Sequence, residues 1–294
     1  MKEEEEPVDE RDPKAANDRR LPFSADPAAA PPSDGEPPEN PAGGRTLIVD
    51  SSDPGAFPRP SAALKEARAE DQVFVRPGLY EDKIFLTHKP VRLIGAGLDQ
   101  VQIFSRRGGP LYLQHLPEGL ISGMTFRYIG SDPHSAINIL DSVCTLTRCR
   151  IMEGVLSGIV IYGPQCRPTL IENEVCFNRE SGIFIFAGAR PYLSKNECYA
   201  NHHFSIAVRD PESRPDLVRN LCRNNMLSGM LMFYHAEAMV LENVCRDNQH
   251  WGFVTTPECD TTPDREALPT ANTFLPNPRG PLVVTEEPLA EIGR

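Results

Sequence analysis

The middle of the chain repeats a unit in which a polar corner leads into a short apolar strand. Four copies align from Leu170, Leu193, Leu217 and Val240, the last offset by one residue at its start. In each copy the strand opens at a small residue, and these residues are Gly182, Ser205, Gly229 and Gly252. Fainter copies at Gly158 and Ala136, at spacings of 24 and 22 residues, extend the array upstream to at least six turns.

Two sets of asparagines mark the corners of these units. They recur at spacings of 23, 24 and 23 residues, and they are Asn173, Asn196, Asn220 and Asn243 in the first set and Asn178, Asn201, Asn225 and Asn248 in the second. Asparagine tolerates left-handed backbone at turns, and its amide bonds to the backbone and to a like residue one coil away. We therefore predict that both sets are structural ladders. The glycines that open the strands are predicted to adopt positive φ.

The length of the period selects the class of repeat. Helix-pair repeats need about 33 residues or more, and a leucine-rich repeat needs a Leu-x-x-Leu-x-Leu frame that this chain lacks. Three short strands with tight turns fit the length, with coils stacked in parallel about 4.8 Å apart. The sequence thus predicts an all-β fold, a single right-handed parallel β-helix, over residues 45–256. Helix-forming residues 61–69 predict a helix that caps its N-terminal end.

Composition separates this middle from two acidic, proline-rich ends. Residues 1–44 carry twelve acidic and five basic side chains with nine prolines, which predicts a disordered tail. Residues 257–294 carry seven acidic and three basic side chains with seven prolines, and they are predicted to be a tail able to pack on the solenoid. The net charge of −11 therefore lies in the ends. A neutral middle argues against nucleic acid and an anionic membrane surface as partners.

The ends and the cysteines also bear on location and cofactors. The chain begins with charged residues rather than an apolar segment, and no stretch approaches the about 18 apolar residues of a membrane span. We expect a cytoplasmic or nuclear protein whose eight cysteines are reduced thiols. No CxxC pair is present, and neither the aligned Cys198, Cys222 and Cys245 nor the pair His202 and His203 has the spacing of a metal site. The sequence predicts no metal and no cofactor.

One segment and the coils after it are similar to a known family. The segment, residues 62–97, reads AALKEARAEDQVFVRPGLYEDKIFLTHKPVRLIGAG, and coils of the pattern N-x-C/V-x-x-N-x-x-x-G-I follow. Together they resemble the carbohydrate-binding and sugar-hydrolysis domain of the pectin-lyase-like β-helix proteins, in the form found in F-box β-helix proteins. The resemblance covers residues 46–256. It implies the fold, and in the F-box relatives it implies recognition of a protein substrate for ubiquitin ligation. Residues 1–44 lack the three-helix pattern of an F-box.

A second, shorter resemblance concerns catalysis. Asp132-Pro133-His134 lies just before a strand and resembles the Asp-Pro-His-Asp element of β-helix mannuronan C5-epimerases, with Ser135 in place of the final acid. In that family the histidine and aspartate transfer protons at the sugar C5, so the resemblance implies a catalytic role for Asp132 and His134. The alternative is a turn that Asp132 and Pro133 shape through their backbone.

The strand that opens each coil predicts a binding face. Its side chains alternate between the core and the outside. With Ile159, Ile161, Ile183, Ile185, Ile206, Val208, Met230 and Met232 inward, the outward positions form two largely apolar columns. Apolar patches of this kind indicate a partner-binding surface. The predicted anchors for a protein partner are Tyr162, Phe184, Phe186, Leu231 and Phe233. Alternatively, the tail after residue 256 covers this face and the protein is structural.

Two functions therefore remain open beside that structural one. The first is a non-enzymatic scaffold that recognises a protein partner, with the ubiquitin pathway as one context. The second is a carbohydrate-active enzyme, a polyuronate lyase or C5-epimerase, that takes a polysaccharide and uses Asp132 and His134. The sequence favours the first, because the outward columns lack the repeated basic residues of an acidic-polysaccharide groove and the clustered carboxylates of a calcium site.

Overall fold

Three parallel sheets wind along one axis, and the chain passes through them in a fixed order. The computed structural model describes residues 36–286, so most of the predicted tail of residues 1–44 lies outside the described residues. From Gln72 the chain visits sheet A, sheet B and sheet C in turn, and then returns to sheet A one level further along. Each strand pairs in parallel with its counterparts in the neighbouring coils. The predicted parallel β-helix is confirmed.

The strands are numbered in chain order and grouped by sheet. Sheet A has ten strands, β1 (Thr46–Val49), β2 (Gln72–Val75), β5 (Val91–Gly95), β8 (Gly119–Ser122), β11 (Thr145–Thr147), β14 (Thr169–Ile171), β17 (Tyr192–Ser194), β20 (Asp216–Val218), β23 (Glu237–Leu241) and β26 (Asp260–Thr262). Sheet B has eight, β3 (Gly78–Glu81), β6 (Val101–Ser105), β9 (Thr125–Tyr128), β12 (Arg150–Met152), β15 (Glu174–Cys176), β18 (Glu197–Tyr199), β21 (Leu221–Arg223) and β24 (Val244–Arg246). Sheet C has nine, β4 (Ile84–Thr87), β7 (Leu111–Gln114), β10 (Ile137–Leu140), β13 (Ile159–Tyr162), β16 (Ile183–Phe186), β19 (Ile206–Arg209), β22 (Met230–Phe233), β25 (Trp251–Thr255) and β27 (Gly280–Val284).

The predicted asparagine sets form two buried hydrogen-bonded ladders. The side-chain amide of Asn173 donates to Oδ1 of Asn196 at 2.9 Å, and the Asn173 backbone N–H donates to the same oxygen at 3.1 Å. The second amide proton of Asn173 is donated to the Leu146 carbonyl at 2.8 Å. Asn178 makes the equivalent bonds to Asn201 from its amide and its backbone. Because these groups are buried, a donor or acceptor left without a partner destabilises the fold by more than a formed hydrogen bond stabilises it.

The ladders continue past the predicted end of the solenoid. Asn243 donates to Asn272 at 3.1 Å and Asn248 to Asn277 at 3.0 Å, in both cases across 29 residues. β26 pairs with β23 and β27 with β25, so a further coil runs to Val284. The predicted boundary at residue 256 is therefore wrong. An inserted segment containing helix α2 (Leu268–Ala271) lengthens the last repeat and hides its period.

The backbone at the corners differs from the prediction in two respects. Left-handed φ is adopted by the residue before each of the eight predicted ladder asparagines, as at Glu172 (56°) and Lys195 (54°). The strand-opening glycine Gly182 has no positive φ. A Cβ there would lie 2.7 Å from the Ser205 carbonyl oxygen, so close approach of two coils, rather than backbone strain, selects glycine.

The core is filled by inward side chains from all three sheets. One coil contributes Ile183 and Ile185 from sheet C, Leu193 from sheet A and Cys198 from sheet B, all fully buried. The eight cysteines are free and buried, and burial raises the pKa of the Cys198 and Cys245 thiols well above the ordinary value. These two thiols therefore remain protonated and pack as small apolar groups.

A short helix occupies the first coil in place of strands of sheets B and C. Helix α1 (Pro60–Glu66) starts with proline in its first turn, and Ala67 ends it with extended backbone. It buries Ala63 and Leu64 against β1, β2 and β4. The predicted capping helix is thus present. Within residues 36–286, no helix is long and apolar enough to cross a membrane.

The ladder predicts a specific stability loss. Asn220→Ala removes the oxygen that accepts the backbone N–H and the amide of Asn196, at 3.1 and 3.0 Å. We expect the free energy of unfolding to fall by about 2 to 4 kcal/mol, because two buried donors lose their acceptor. Urea unfolding followed by circular dichroism measures it. Gln249→Ala, at an exposed corner position, should cost less than about 0.5 kcal/mol. Equal losses in the two variants would contradict the ladder's role.

Candidate functional site

The outer face of sheet C consists of two columns of outward side chains set by the strand register. The first column is Phe85, Tyr112, Asn138, Val160, Phe184, Ala207, Leu231 and Val254, and the second is Thr87, Gln114, Leu140, Tyr162, Phe186, Arg209 and Phe233. All eight positions predicted to point inward are at most 1% exposed. The predicted alternation along these strands is confirmed.

Stacked aromatic rings occupy two places on this face. Phe85 and Tyr112, from β4 and β7, have ring centroids 4.7 Å apart and an angle of 11° between their planes. Tyr162 and Phe186, from β13 and β16, are 5.3 Å apart at 4°, and Phe184 lies 5.1 Å from Phe186. The spacing follows from the fold, because side chains opposite one another on paired strands are held one coil apart.

A cation lies against each aromatic group. Lys83 Nζ is 5.0 Å from the ring centroid of Phe85 and 5.1 Å from that of Tyr112. The guanidinium carbon of Arg209 is 5.4 Å from the Phe184 centroid and 5.2 Å from the Phe186 centroid. All four distances lie within the range of cation–π attraction. The inward–outward alternation of side chains along the strands does not predict these cation–ring contacts. Lys83 lies just before β4, and Arg209 of β19 contacts rings of β16, in the preceding coil.

The five predicted anchors divide into two groups. Tyr162, Phe184 and Phe186 are half-buried and keep part of their rings accessible. Leu231 and Phe233 are 1% and 5% exposed, and they pack in a second apolar cluster with Phe204, Ala207, Leu227 and Val254. This cluster lies outside the main core. The accessible part of the predicted face is thus confined to its aromatic half.

The Asp132-Pro133-His134 element forms a turn at the corner between sheets B and C. The His134 backbone N–H donates to the Asp132 carbonyl at 2.8 Å, and the Asp132 side chain is exposed. The half-buried imidazole of His134 meets the Tyr128 ring edge to face, with centroids 5.7 Å apart. In residues 36–286 no hydrogen bond or ion pair joins the Asp132 carboxylate to His134. The catalytic role of these two residues stays a prediction.

The same corner brings together two ionisable groups that the sequence analysis did not assign to a site. Glu180 and His203 occupy equivalent positions, each two residues after an asparagine of the second ladder, and both side chains are half-buried. Burial raises the pKa of the Glu180 carboxyl, and burial with the charge of His202 lowers the pKa of the His203 imidazole. The repeat register, applied to the corner residues as well as to the asparagines, is the signal that identifies them.

The outer face of sheet B provides a contrast. Its arginines are held by carboxylates, Arg127 by Glu153 at 2.8 Å, Arg150 by Glu174 at 2.7 Å and Arg223 by Glu197 at 2.5 Å. Arg223 also lies over the Tyr199 ring at 4.5 Å. In the described part of the chain, no group of three or more histidine, cysteine or acidic side chains has the arrangement of a metal site.

The ladders, the three sheets and the side-chain columns define a parallel β-solenoid. The family model described as "Right handed beta helix region" matches residues 119–278, which is more than half of the chain. The chain therefore belongs to the right-handed β-helix family. No curated protein sequence matches it.

Three solved structures share the fold at low sequence identity. One is a pectate lyase, with 16% identity, a TM-score of 0.41, and 70% of this chain and 56% of that chain covered. Another is a pectin methylesterase variant in complex with a hexasaccharide, with 9% identity, a TM-score of 0.47, and 84% and 95% covered. A third is the A-module of the Azotobacter vinelandii mannuronan C-5 epimerase AlgE4, with 12% identity, a TM-score of 0.39, and 72% and 78% covered.

All three TM-scores lie below 0.5, so these likenesses by themselves establish no property of this chain. The chain spans just over half the length of the pectate lyase, 56%. The names of all three proteins are those of carbohydrate-active enzymes. None of the comparisons supports the ubiquitin-adaptor context of the first hypothesis.

From the burial of two positions on the outer face of sheet C, we predict that a charge introduced there lowers the free energy of unfolding by different amounts. Phe233→Asp places a carboxylate where the side chain is 5% exposed, and we expect a loss of about 3 kcal/mol or more, because the charge is desolvated without a partner. Phe85→Asp, at 56% exposure, should cost about 1 kcal/mol or less. Urea unfolding of both variants tests the assignment. A smaller loss for Phe233→Asp than for Phe85→Asp would show that the second apolar cluster is misassigned.

Proposed function

We propose that the outer face of sheet C binds an extended acidic polysaccharide of the uronate class. The observation that carries the proposal is the placement of a cation against each aromatic group of this face, Lys83 at Phe85 and Tyr112 and Arg209 at Phe184 and Phe186. A uronate offers a carboxylate and apolar C–H groups on one ring. The cations of this face are complementary to the carboxylate, and its aromatic rings are complementary to the C–H groups.

The charges distinguish this face from sheet B. Lys83 has no ion pair within residues 36–286, and its side chain is exposed. The Arg209 contact with Asp210 is long, 3.5 Å, so most of its five donors remain available for a ligand. The sheet B arginines instead make close carboxylate pairs. A carboxylate ligand therefore meets uncommitted cations on sheet C and committed ones on sheet B.

The shape of the face favours a long ligand. Successive strands of sheet C lie about 4.8 Å apart, so their outward side chains present a regular series of contacts along the rod. β4 carries the first aromatic group and β19 carries Arg209, with β7, β10, β13 and β16 between them. A polymer lying along the axis can meet both cations, whereas a single sugar meets one.

The proposal predicts a cation-dependent affinity. Lys83→Gln and Arg209→Gln should each weaken binding of a polygalacturonate or polymannuronate oligomer about tenfold, because each removes one charge-assisted contact. Isothermal titration calorimetry at fixed salt measures this. Arg223→Gln is the matched control. Like Arg209, Arg223 lies over an aromatic ring, here that of Tyr199, but it belongs to sheet B. Absence of polyuronate binding by the unchanged protein, or an equal loss in the control, would reject the proposal.

Recognition of a protein partner is the second candidate function. It is favoured by the half-buried cluster of Tyr162, Phe184 and Phe186, since aromatic residues with accessible rings are frequent anchors of protein interfaces. The burial of Leu231 and Phe233 limits the area that such an interface can use.

The second candidate predicts a face-specific loss of capture. Phe184→Asp should abolish recovery of a defined partner in affinity capture, because a charge replaces an apolar anchor. Leu79→Asp, at a 63% exposed apolar position on sheet B, should leave recovery unchanged. Recovery that is unchanged by Phe184→Asp, or that falls equally in both variants, would count against this function.

A further inference from the structure

The outer side of sheet A is buried like its inner side. Every residue of β8, β11, β14 and β20 is buried, whereas the sheet C strands β7, β10, β13 and β16 alternate between buried and half-buried residues. Successive side chains of a strand point to opposite sides of its sheet. Ile171 and Val218 point outward, since they are 9% and 5% exposed and belong to neither apolar cluster. The outward side chains of β8 to β20 therefore form the floor of a recess, the sheet A groove.

Polar groups on the floor of this groove lack partners. Thr145 and Thr147 point outward from β11, on either side of the core residue Leu146, and they are 4% and 2% exposed. Neither hydroxyl makes a hydrogen bond within residues 36–286. A buried hydroxyl without a partner destabilises the fold, so a ligand that supplies backbone donors and acceptors is favoured here. Helices α1 and α2 pack at the two ends of sheet A, against β1, β2 and β23, so neither lies along the groove.

One edge of the groove carries a row of three arginines. Arg167, Arg190 and Arg214 each lie two residues before a strand of sheet A, and the backbone N–H groups of the last two donate to the preceding coil at 2.9 and 3.0 Å. Arg214 pairs with Glu237 at 2.8 Å. Arg167 and Arg190 have no ion pair within residues 36–286, and one Arg167 nitrogen donates to the Pro164 carbonyl at 3.0 Å. Two guanidinium groups are thus available for an anionic ligand, about 4.8 Å apart along the axis.

The opposite edge of the groove carries paired charges over the same coils. Lys195 pairs with Glu172 at 3.7 Å and Arg219 pairs with Glu242, in each case across one coil. Guanidinium groups bind carboxylates well, because the hydrogen bonds are assisted by charge. The groove therefore fits an extended acidic peptide that places its backbone on the hydroxyls of the floor and its carboxylates at the row of arginines.

We propose that the sheet A groove binds the acidic run of residues 3–12 of the same chain. This run has seven acidic side chains and one basic side chain, Arg11. The chain that follows it reaches one end of the groove, because Gln72 Nε2 donates to the Pro38 carbonyl at 2.9 Å. Gln72 is the outward neighbour of the core residue Val73 on β2, at the N-terminal end of sheet A. The acidic run is thus tethered beside the groove that it fills.

The tether has the length that this docking requires. The row of arginines precedes β14, β17 and β20, which lie four to six strands beyond β2 in sheet A. At about 4.8 Å per strand, the row lies about 19 to 29 Å from Gln72. A linker as long as residues 13–37 spans about 27 Å on average when it behaves as a flexible coil. Effective concentration is highest when the linker span matches the separation of the sites, which favours docking within one chain.

A photoreactive side chain tests the position of the acidic run in the full chain. p-Benzoylphenylalanine replaces Val8, illumination links it to nearby C–H groups, and mass spectrometry of the peptides identifies the attachment sites. We expect links within one chain, to the sheet A side of residues 167–220. Raising the salt concentration from about 20 mM to about 1 M should lower the yield about threefold or more, because salt screens the attraction between exposed charges.

Charge variants of both partners accompany this measurement. Arg167→Glu and Arg190→Glu should each lower the yield about threefold or more, because each replaces an attractive charge by a repulsive one. Arg246→Glu is the matched control, since it reverses an exposed arginine on sheet B, and it should leave the yield unchanged. Melting temperatures verify that these variants are folded. Glutamine in place of the four glutamates at residues 3–6 leaves the solenoid unaltered and should also lower the yield.

The attachment sites and the yields each have an outcome that contradicts the proposal. Links on the outer side of sheet B or sheet C, links between two copies of the chain, or no links would overturn docking of this run in the sheet A groove. A yield unaffected by Arg167→Glu and Arg190→Glu, or lowered equally by Arg246→Glu, would do the same. None of these outcomes bears on the ligand proposed for sheet C, because that ligand lies on another face.

Discussion

The hydrogen bonds between asparagines of successive coils are the constraint on which the rest of the structure depends. Along the first ladder each oxygen from Asn196 to Asn272 accepts two protons from the coil before it, and each amide also donates to a backbone carbonyl. Because these groups are buried, a slip of one coil against the next would leave several of them unpaired. The ladders therefore fix the register of the coils between Asn173 and Asn277.

Fixed register turns individual side chains into columns. A residue at one position of a coil lies beside the residue at the same position of the next, so the aromatic rings of sheet C stack and the charges of sheet B pair across coils. The two faces differ in what occupies the columns. On sheet B each arginine meets a carboxylate, whereas on sheet C the cations lie against rings and keep donors available. The same geometry thus produces one face on which arginines pair with carboxylates and another on which cations pack against aromatic rings.

The sequence by itself determined the repeat, the two ladders from Asn173 to Asn248 and the inward or outward direction of the sheet C strands, because each of these depends on spacing along the chain. It did not reveal the last coil, since 29 residues rather than 23 or 24 separate Asn243 from Asn272. Burial of Leu231 and Phe233 and the approach of Lys83 and Arg209 to the rings were decided by tertiary structure. These features depend on which side chains meet across coils. The repeat length determines which positions lie next to each other, but it does not determine the direction that a long side chain takes.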